Sequence, residues 1–332
     1  MNIKFYLDCD ETTGLGHLSR CLNLACHFKA IKPSCHISFE GKFNSFALAF
    51  IEKRGAFLSL PIDKTINERP VFDLSAVDIP IFDSYLLSQE QVDFVCRKKN
   101  TAVYIDDFAR LNFHRAGTVL NFTVKANQFF SYSSVCQLLG TSYYLNKPEM
   151  TKVRLNRKSE IEEKNILIFF SAHQEFQQLY GLFLNLLIDV TKEKNIRIIW
   201  SNEKAPVLLK TSNVVEFCDP HIAIEEDFQW ADVIISGGGL LKYESCYCTI
   251  PNMGISTTEE QNDDSERLHD LGLTFNLGNI ASIVDSSQQE CMKNKIEEFF
   301  MDKKIWGRQI QEQKKYFNSD SGRLAAKVIL NG

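Results

Sequence analysis

The chain has 332 residues, 44% of them hydrophobic and 24% charged, and its 37 basic and 42 acidic side chains give a formal charge of −5. That length exceeds what one core holds and points to two domains, while the ordinary apolar and charged fractions exclude a disordered chain. The net negative charge argues against a non-specific nucleic-acid binder, and the longest apolar runs fall short of a bilayer span, so a small-molecule partner is expected.

Taken in order, short apolar runs predict strands at 3–7, 36–39, 57–60, 79–82, 102–105 and 118–120, with helices at 17–29, 46–54 and 89–98 where apolar residues recur at three and four. Residues 150–164 turn polar and charged without an apolar period and read as a linker. The pattern restarts with a strand at 165–170, a helix at 176–191, and strands at 196–200, 214–217 and 232–236. A helix at 240–248, a strand at 252–255, a polar loop at 259–264 and helices at 288–301 and 303–317 follow. The expected division is a first domain at 1–150, a second at 151–319, and a terminal helix in 320–332 that can cross back onto the first. Alternating strands and helices imply parallel sheets covered on both faces.

The ten cysteines contain no Cys-x-x-Cys pair, so a zinc site is not expected; they read as small buried hydrophobes in a reducing cytoplasm. Acidic Asp8, Asp10 and Glu11 interrupt any signal-peptide core after Met1.

Gly14-Leu15-Gly16-His17 joins the first strand to the first helix. In an open α/β sheet, ligands lie outside the carboxyl ends of the strands, and glycines there let the backbone approach them. The helix N-terminus favours a neutral imidazole able to take a proton, which makes His17 the candidate general base; the other reading is an ordinary first-turn histidine. A Gly-x-Gly without a third glycine disfavours a dinucleotide cofactor, and none is expected. Asp8 is placed either to bond a sugar hydroxyl or to hold the histidine tautomer, while Asp10 and Glu11 read as loop acids or caps. Arg20 is a surface cation or the partner of a phosphate or carboxylate. Asp83, Tyr85 and Asp106 follow further strands and read as caps or as ligands. Asp106-Asp107 is a poor metal pair, because adjacent strand residues point to opposite faces.

In the second half, Gly237-Gly238-Gly239 separates a buried strand from a helix opening at Leu240, an arrangement suited to a diphosphate. Glu244, one turn in, is positioned to accept from ribose hydroxyls. Lys242 and Tyr243 flank it, and Gln261 on the polar loop reaches toward the sugar. Two such turns, one per half, suggest a cleft between two domains.

Asp8, Gly14-Leu15-Gly16-His17-Leu18-Ser19-Arg20-Cys21-Leu22, Asp83-Ser84-Tyr85, Ile105-Asp106-Asp107, Leu138-Leu139-Gly140-Thr141-Ser142-Tyr143, Gly238-Gly239 to Glu244, Pro251 and Gln261 resemble, in order, the pseudaminic-acid pathway nucleotide-sugar hydrolases. Those enzymes are similar in turn to the glycosyltransferases that make lipid II. The resemblance implies a GT-B fold, two Rossmann-like domains with parallel sheets facing across a cleft, in a monomeric cytoplasmic enzyme. It also implies metal-free, inverting hydrolysis of a UDP-linked 2,4-diacetamido-2,4,6-trideoxy hexose. His17 carries over as the base; Asp8, Gly14, Gly16, Arg20, Asp83, Tyr85, Tyr243 and Gln261 as substrate contacts; Gly237, Gly238, Gly239, Leu240 and Glu244 as nucleotide contacts.

The chain departs from that pattern at Tyr6, at Ser171-Ala172-His173-Gln174 and at Tyr243, near the expected sugar and phosphate contacts, which leaves room for a related nucleotide sugar. The alternative is a GT-B glycosyltransferase whose histidine deprotonates an acceptor hydroxyl. A third reading, a catalytically silent sugar-nucleotide binder, is opposed by the retention of His17.

Overall fold

The computed structural model describes residues 1–10, 15–55, 57–69, 71–108, 111–113, 117–129, 136–157, 162, 164–170, 176–200, 205–221 and 223–332. Gly14 and Ser171-Ala172-His173-Gln174 lie outside the described residues. The chain separates into two compact units, Met1–Pro148 with Asp320–Gly332, and Glu149–Ser319.

In the first unit seven parallel strands, β1 (Asn2–Tyr6), β2 (His36–Gly41), β3 (Leu58–Pro61), β4 (Ile79–Phe82), β5 (Val103–Ile105), β6 (Thr118–Asn121) and β7 (Cys136–Leu139), lie in the order β3-β2-β1-β4-β5-β6-β7. The chain builds outward from β1 through β2 to β3, then returns to its other side at β4. That reversal puts a switch point between β1 and β4, where an open sheet leaves a crevice at its carboxyl edge. Ile79, Ile81 and Phe82 are buried, which is why β4 reads as an unbroken apolar run rather than an alternating one.

Helix α1 (Gly16–Ile31) is buried on more than one face. Its added cover is the last helix of the chain, Ser321–Asn331, whose Gly322 N donates to Asn146 Oδ1 at 2.9 Å. A Cβ on Gly322 would stand 2.6 Å from His27 Cδ2 and 2.8 Å from Asn146 Oδ1, so only glycine permits this approach. Helices α2 (Ser45–Gly55), α3 (Gln89–Lys98) and the short α4 (Ala126–Phe129) complete the unit. Ser88 opens α3 with a reciprocal capping box to Gln91.

The second unit begins with α5 (Pro148–Leu155), where a linker was expected. Proline suits the first helical position, and Met150 and Val153 bury one side of an otherwise polar helix. Six parallel strands, β8 (Asn165–Phe169), β9 (Asn195–Ile199), β10 (Val214–Cys218), β11 (Val233–Gly237), β12 (Asn252–Ser256) and β13 (Phe275–Asn279), lie in the order β10-β9-β8-β11-β12-β13. This sheet reverses between β8 and β11, the counterpart of the first unit's switch point. Its core joins Ile168, Ile198, Ile235 and Ile255 from the strands to Phe183 and Leu187 of α6 (Gln177–Val190) and Phe299 of α10 (Ser286–Met301). Helices α7 (Ile224–Trp230), α8 (Leu240–Tyr247), α9 (Glu259–Asp270) and α11 (Lys303–Tyr316) make up the rest, and the terminal helix is α12.

The run 259–264, read as a loop, is the first half of α9. Thr258 accepts from Gln261 N at its start, Glu259 and Glu260 face the positive end of the helix, and Ser265 and Leu268 are buried. Strands β7 and β13 were not anticipated. Each is an edge strand, and β13 carries Gly278, its penultimate residue, at φ 97°.

Candidate active site

Because β4 lies beside β1, the residue after β4 meets the start of the helix after β1. Asp83 N donates to Tyr6 O at 3.1 Å, and the Asp83 carboxylate turns to His17, the second residue of α1. His17 Nδ1 and Asp83 Oδ1 are 2.6 Å apart, both side chains are buried, and the two residues are 66 positions apart in sequence.

Arg20, one turn along α1, closes on the same carboxylate, with Nε to Oδ2 at 2.6 Å and Nη2 to Oδ1 at 2.5 Å, while its Nη1 reaches Asp107 Oδ2 at 2.5 Å. Cys21 Sγ lies 3.3 Å from Asp83 Oδ2. The Tyr85 ring meets the imidazole edge-on at 4.4 Å between centroids, and its hydroxyl donates to Asp107 Oδ2 at 2.9 Å.

The proton on His17 follows from these distances. Nδ1 is 2.6 Å from a carboxylate oxygen and 3.2 Å from Arg20 Nη2, which can only donate. A lone pair on Nδ1 would face the carboxylate at close range. Nδ1–H therefore donates to Asp83, and the 3.2 Å approach of two donors results from their sharing one acceptor. In the neutral ring Nε2 then carries the lone pair, and no described residue bonds it. Burial works against the Asp83 charge, yet the Arg20 guanidinium, His17 and their hydrogen bonds hold its carboxyl well below the usual carboxylate range. Burial likewise opposes the Arg20 charge, and Asp107 and Asp83 more than restore it.

Two expected substrate contacts are corrected here. Asp8 does not approach His17: its Oδ1 accepts from Lys42 N at 3.0 Å and its Oδ2 from Ile66 N at 2.7 Å, with Arg69 Nη2 3.4 Å away. It is a buried anchor between loops. Arg20 directs its guanidinium into Asp83 and Asp107 rather than outward, and positions the histidine's partner. Tyr6, where the resembling family has arginine, donates its hydroxyl to Asp73 O at 2.9 Å. Asp106 Oδ1 accepts from Phe108 N at 3.2 Å, as a cap does. Asp107 was missed, since sequence spacing does not say which of two adjacent acids turns inward.

In the second unit, Gly237 ends β11 and Gly239 sits at the N-cap of α8, which opens at Leu240. A Cβ on Gly238 would stand 2.7 Å from Ser256 Oγ and 2.9 Å from Gln261 Oε1, whereas one on Gly239 would meet open space. The turn is thus pressed against β12 and α9 on one side and open on the other. Glu244 is half-buried on α8. Gln261 lies in the first turn of α9, where its Oε1 accepts from Thr257 N at 3.1 Å, so it walls the glycine turn instead of extending from a loop.

Tyr243 is also corrected. Its ring is buried and its hydroxyl donates to Asp264 Oδ1 at 2.8 Å, a bond that joins α8 to α9. Lys242 Nζ takes the other oxygen at 2.8 Å and Ser265 Oγ at 3.0 Å. Burial draws the Lys242 ammonium below its usual range, and Asp264 opposes the shift. Among the described residues no cluster of three or more His, Cys, Asp or Glu is arranged to hold a metal ion, and no helix is long and apolar enough to cross a membrane.

No protein-family model matches the chain. Among curated proteins it is similar to the pseudaminic acid cytidylyltransferase and UDP-2,4-diacetamido-2,4,6-trideoxy-beta-L-altropyranose hydrolase of Helicobacter pylori, 24% identical over 203 residues or 60% of this chain. The chain spans about a third of that protein's length, 33%.

Solved structures share its fold from end to end. MurG of Acinetobacter baumannii has a TM-score of 0.65 and 12% identity over 100% of both chains. The glycotransferase of kitacinnamycin reaches 0.66 at 13%, covering 99% of this chain and 98% of its own. The UDP-GlcNAc 2-epimerase of Neisseria meningitidis bound to UDP-GlcNAc reaches 0.63 at 12% over 100% of both. The fold is GT-B, two Rossmann-like units each built on a parallel sheet.

Proposed function

We propose that the protein is a nucleotide-sugar enzyme that breaks the bond between the anomeric carbon and the diphosphate of a UDP-linked sugar, with His17 as general base and water as nucleophile. The observation that carries this reading is the 2.6 Å bond from His17 Nδ1 to a buried carboxylate, which engages Nδ1 and leaves Nε2 as the ring nitrogen to take a proton at the carboxyl edge of the sheet. Water attacks the anomeric carbon, its proton passes to Nε2, and the sugar–oxygen bond breaks toward UDP with inversion. Asp83 stabilises the imidazolium that forms, as an aspartate does in a Ser-His-Asp triad.

The amides at the α8 N-terminus, from Gly238 and Gly239 into Leu240, take up charge growing on the diphosphate, which is the kind of term that dominates such chemistry. Glu244 accepts from the ribose hydroxyls. Gly16 and Tyr85 border the sugar, taken as a 2,4-diacetamido-2,4,6-trideoxy hexose on the strength of the sequence likeness.

A second reading is favoured by the glycosyltransferases among the structural likenesses and by four exposed apolar side chains, Leu15, Phe46, Tyr85 and Leu86, in segments that follow β1, β2 and β4. In that reading an acceptor hydroxyl replaces water and gives its proton to the same nitrogen.

Purified protein incubated with UDP- and CMP-linked deoxyamino sugars separates the two. Nucleotide released without acceptor supports hydrolysis, release only on adding an acceptor alcohol supports transfer, and no release under either condition refutes both. Glu244→Ala is expected to weaken UDP binding by about tenfold, the loss of a charge-assisted hydrogen bond. Equal affinities by calorimetry would remove Glu244 from the nucleotide site.

A further inference from the structure

Asp107 enters the His17 network from the end of β5. Its Oδ2 accepts from two donors at once, Arg20 Nη1 at 2.5 Å and Tyr85 Oη at 2.9 Å. Each donor also bears on the imidazole. Arg20 grips Asp83 Oδ1, the oxygen to which His17 donates, and the Tyr85 ring packs edge-on against His17. The other Asp107 oxygen, Oδ1, is buried, and no described residue bonds it. A buried carboxylate oxygen without a donor weakens a fold.

Counting charge gives a reason. Asp83, Asp107 and Arg20 together carry one net negative charge while His17 is neutral, and the group becomes neutral when His17 takes a proton. Without Asp107 the same proton would leave a net positive charge in a buried place. Among the described residues, the other titratable groups near the ring do not change the count. Burial pushes the Cys21 thiol well above its ordinary range, so it stays neutral, and the Tyr85 hydroxyl acts as a donor. On the neighbouring strand end, Asp8 is paired with Arg69.

We infer that Asp107 is a positioning residue for the His17 base: it anchors Arg20 and Tyr85 on two sides of the imidazole and supplies the surplus negative charge that lets the ring accept a proton. The inference rests on the proposed role of His17, and its test has one readout that needs no turnover.

Asp107→Asn keeps the shape and an oxygen for both donors but removes the charge, while Tyr85→Phe removes only the hydroxyl. The His17 ring resonance in the full chain, identified by its loss in His17→Asn, is followed by NMR from about pH 5 to 9. Its midpoint is expected to fall by about half a unit or more in Asp107→Asn, the effect of a charge at short range near a protein surface, and to hold in Tyr85→Phe. In the release assay Asp107→Asn is expected to lose about tenfold in kcat with KM within about twofold, and the acid limb of its pH–rate profile to move with the midpoint. An unchanged midpoint in folded Asp107→Asn overturns the inference.

Should that variant not fold, Asp107→Glu replaces it, keeping the charge while displacing both donors. An unchanged midpoint with lowered kcat is expected, and wild-type kcat overturns the positioning role. A midpoint that moves in a protein releasing no nucleotide leaves the coupling standing and refutes the proposed function instead.

Discussion

His17→Ala is expected to lower the rate of nucleotide release by about 100-fold or more, the usual contribution of a positioned general base, while UDP affinity and the melting temperature stay close to wild type. The reason for the separation is structural. Nε2 bonds no described residue, so its removal costs chemistry, whereas Asp83 keeps Arg20 at 2.6 and 2.5 Å and Cys21 at 3.3 Å after the imidazole is gone. UDP is assigned to the glycine turn of the second unit, which the substitution does not touch. His17→Asn gives the same test with a polar side chain. Wild-type turnover in either variant would remove His17 from the reaction, and a loss of UDP affinity matching the loss of rate would give it a binding role instead.

Much of the framework was legible because parallel strands covered on both faces carry near-continuous apolar runs, as in β4 and β11. His17 was singled out for a local reason: glycines before a histidine at a strand-to-helix turn are read without tertiary information. Asp83 was quoted with the right segment, but its pairing with His17 depends on β4 lying beside β1, which strand order sets and spacing does not.

Arg20 was left open between a surface cation and the partner of a phosphate or carboxylate for the same reason, and its carboxylate partners are Asp83 and Asp107. It is buried against Asp83, Asp107 and Phe122, from strand ends distant in sequence, while α12 covers α1 at His27. Asp8 misled because proximity in sequence to His17 does not make a bond to it; its bonds run to residues 42, 66 and 69. The acidic start of α9 was hidden because helix-dipole and capping preferences there produce the composition of a solvated loop.

Arg20→Met is expected to be the most damaging single change in the first unit, lowering stability by about 3–5 kcal/mol, the cost of breaking a buried pair and leaving charge behind. Methionine fills much of the same space, so the loss comes from charge and not from a cavity. Two acids would lose their counter-ion: Asp83, 1% exposed, and Asp107, whose Oδ1 already has no donor among the described residues.

The sign of the pH dependence separates this account from a packing defect. In the wild type, the Asp83 carboxyl lies below its ordinary value of 3.8, so its contribution is present above that pH and is lost as acid drives the pH down toward the folded value. In the variant, burial without Arg20 raises the carboxyl above its unfolded value, and stability falls as pH rises between the two. The gap between the proteins is therefore widest near neutrality and narrows as pH approaches about 4. Denaturant unfolding of both proteins at neutral and acidic pH measures it. A constant gap would assign the loss to packing, and a gap within about 0.5 kcal/mol at neutrality, the scale of an ordinary surface change, would mean that the guanidinium does not hold the two carboxylates together.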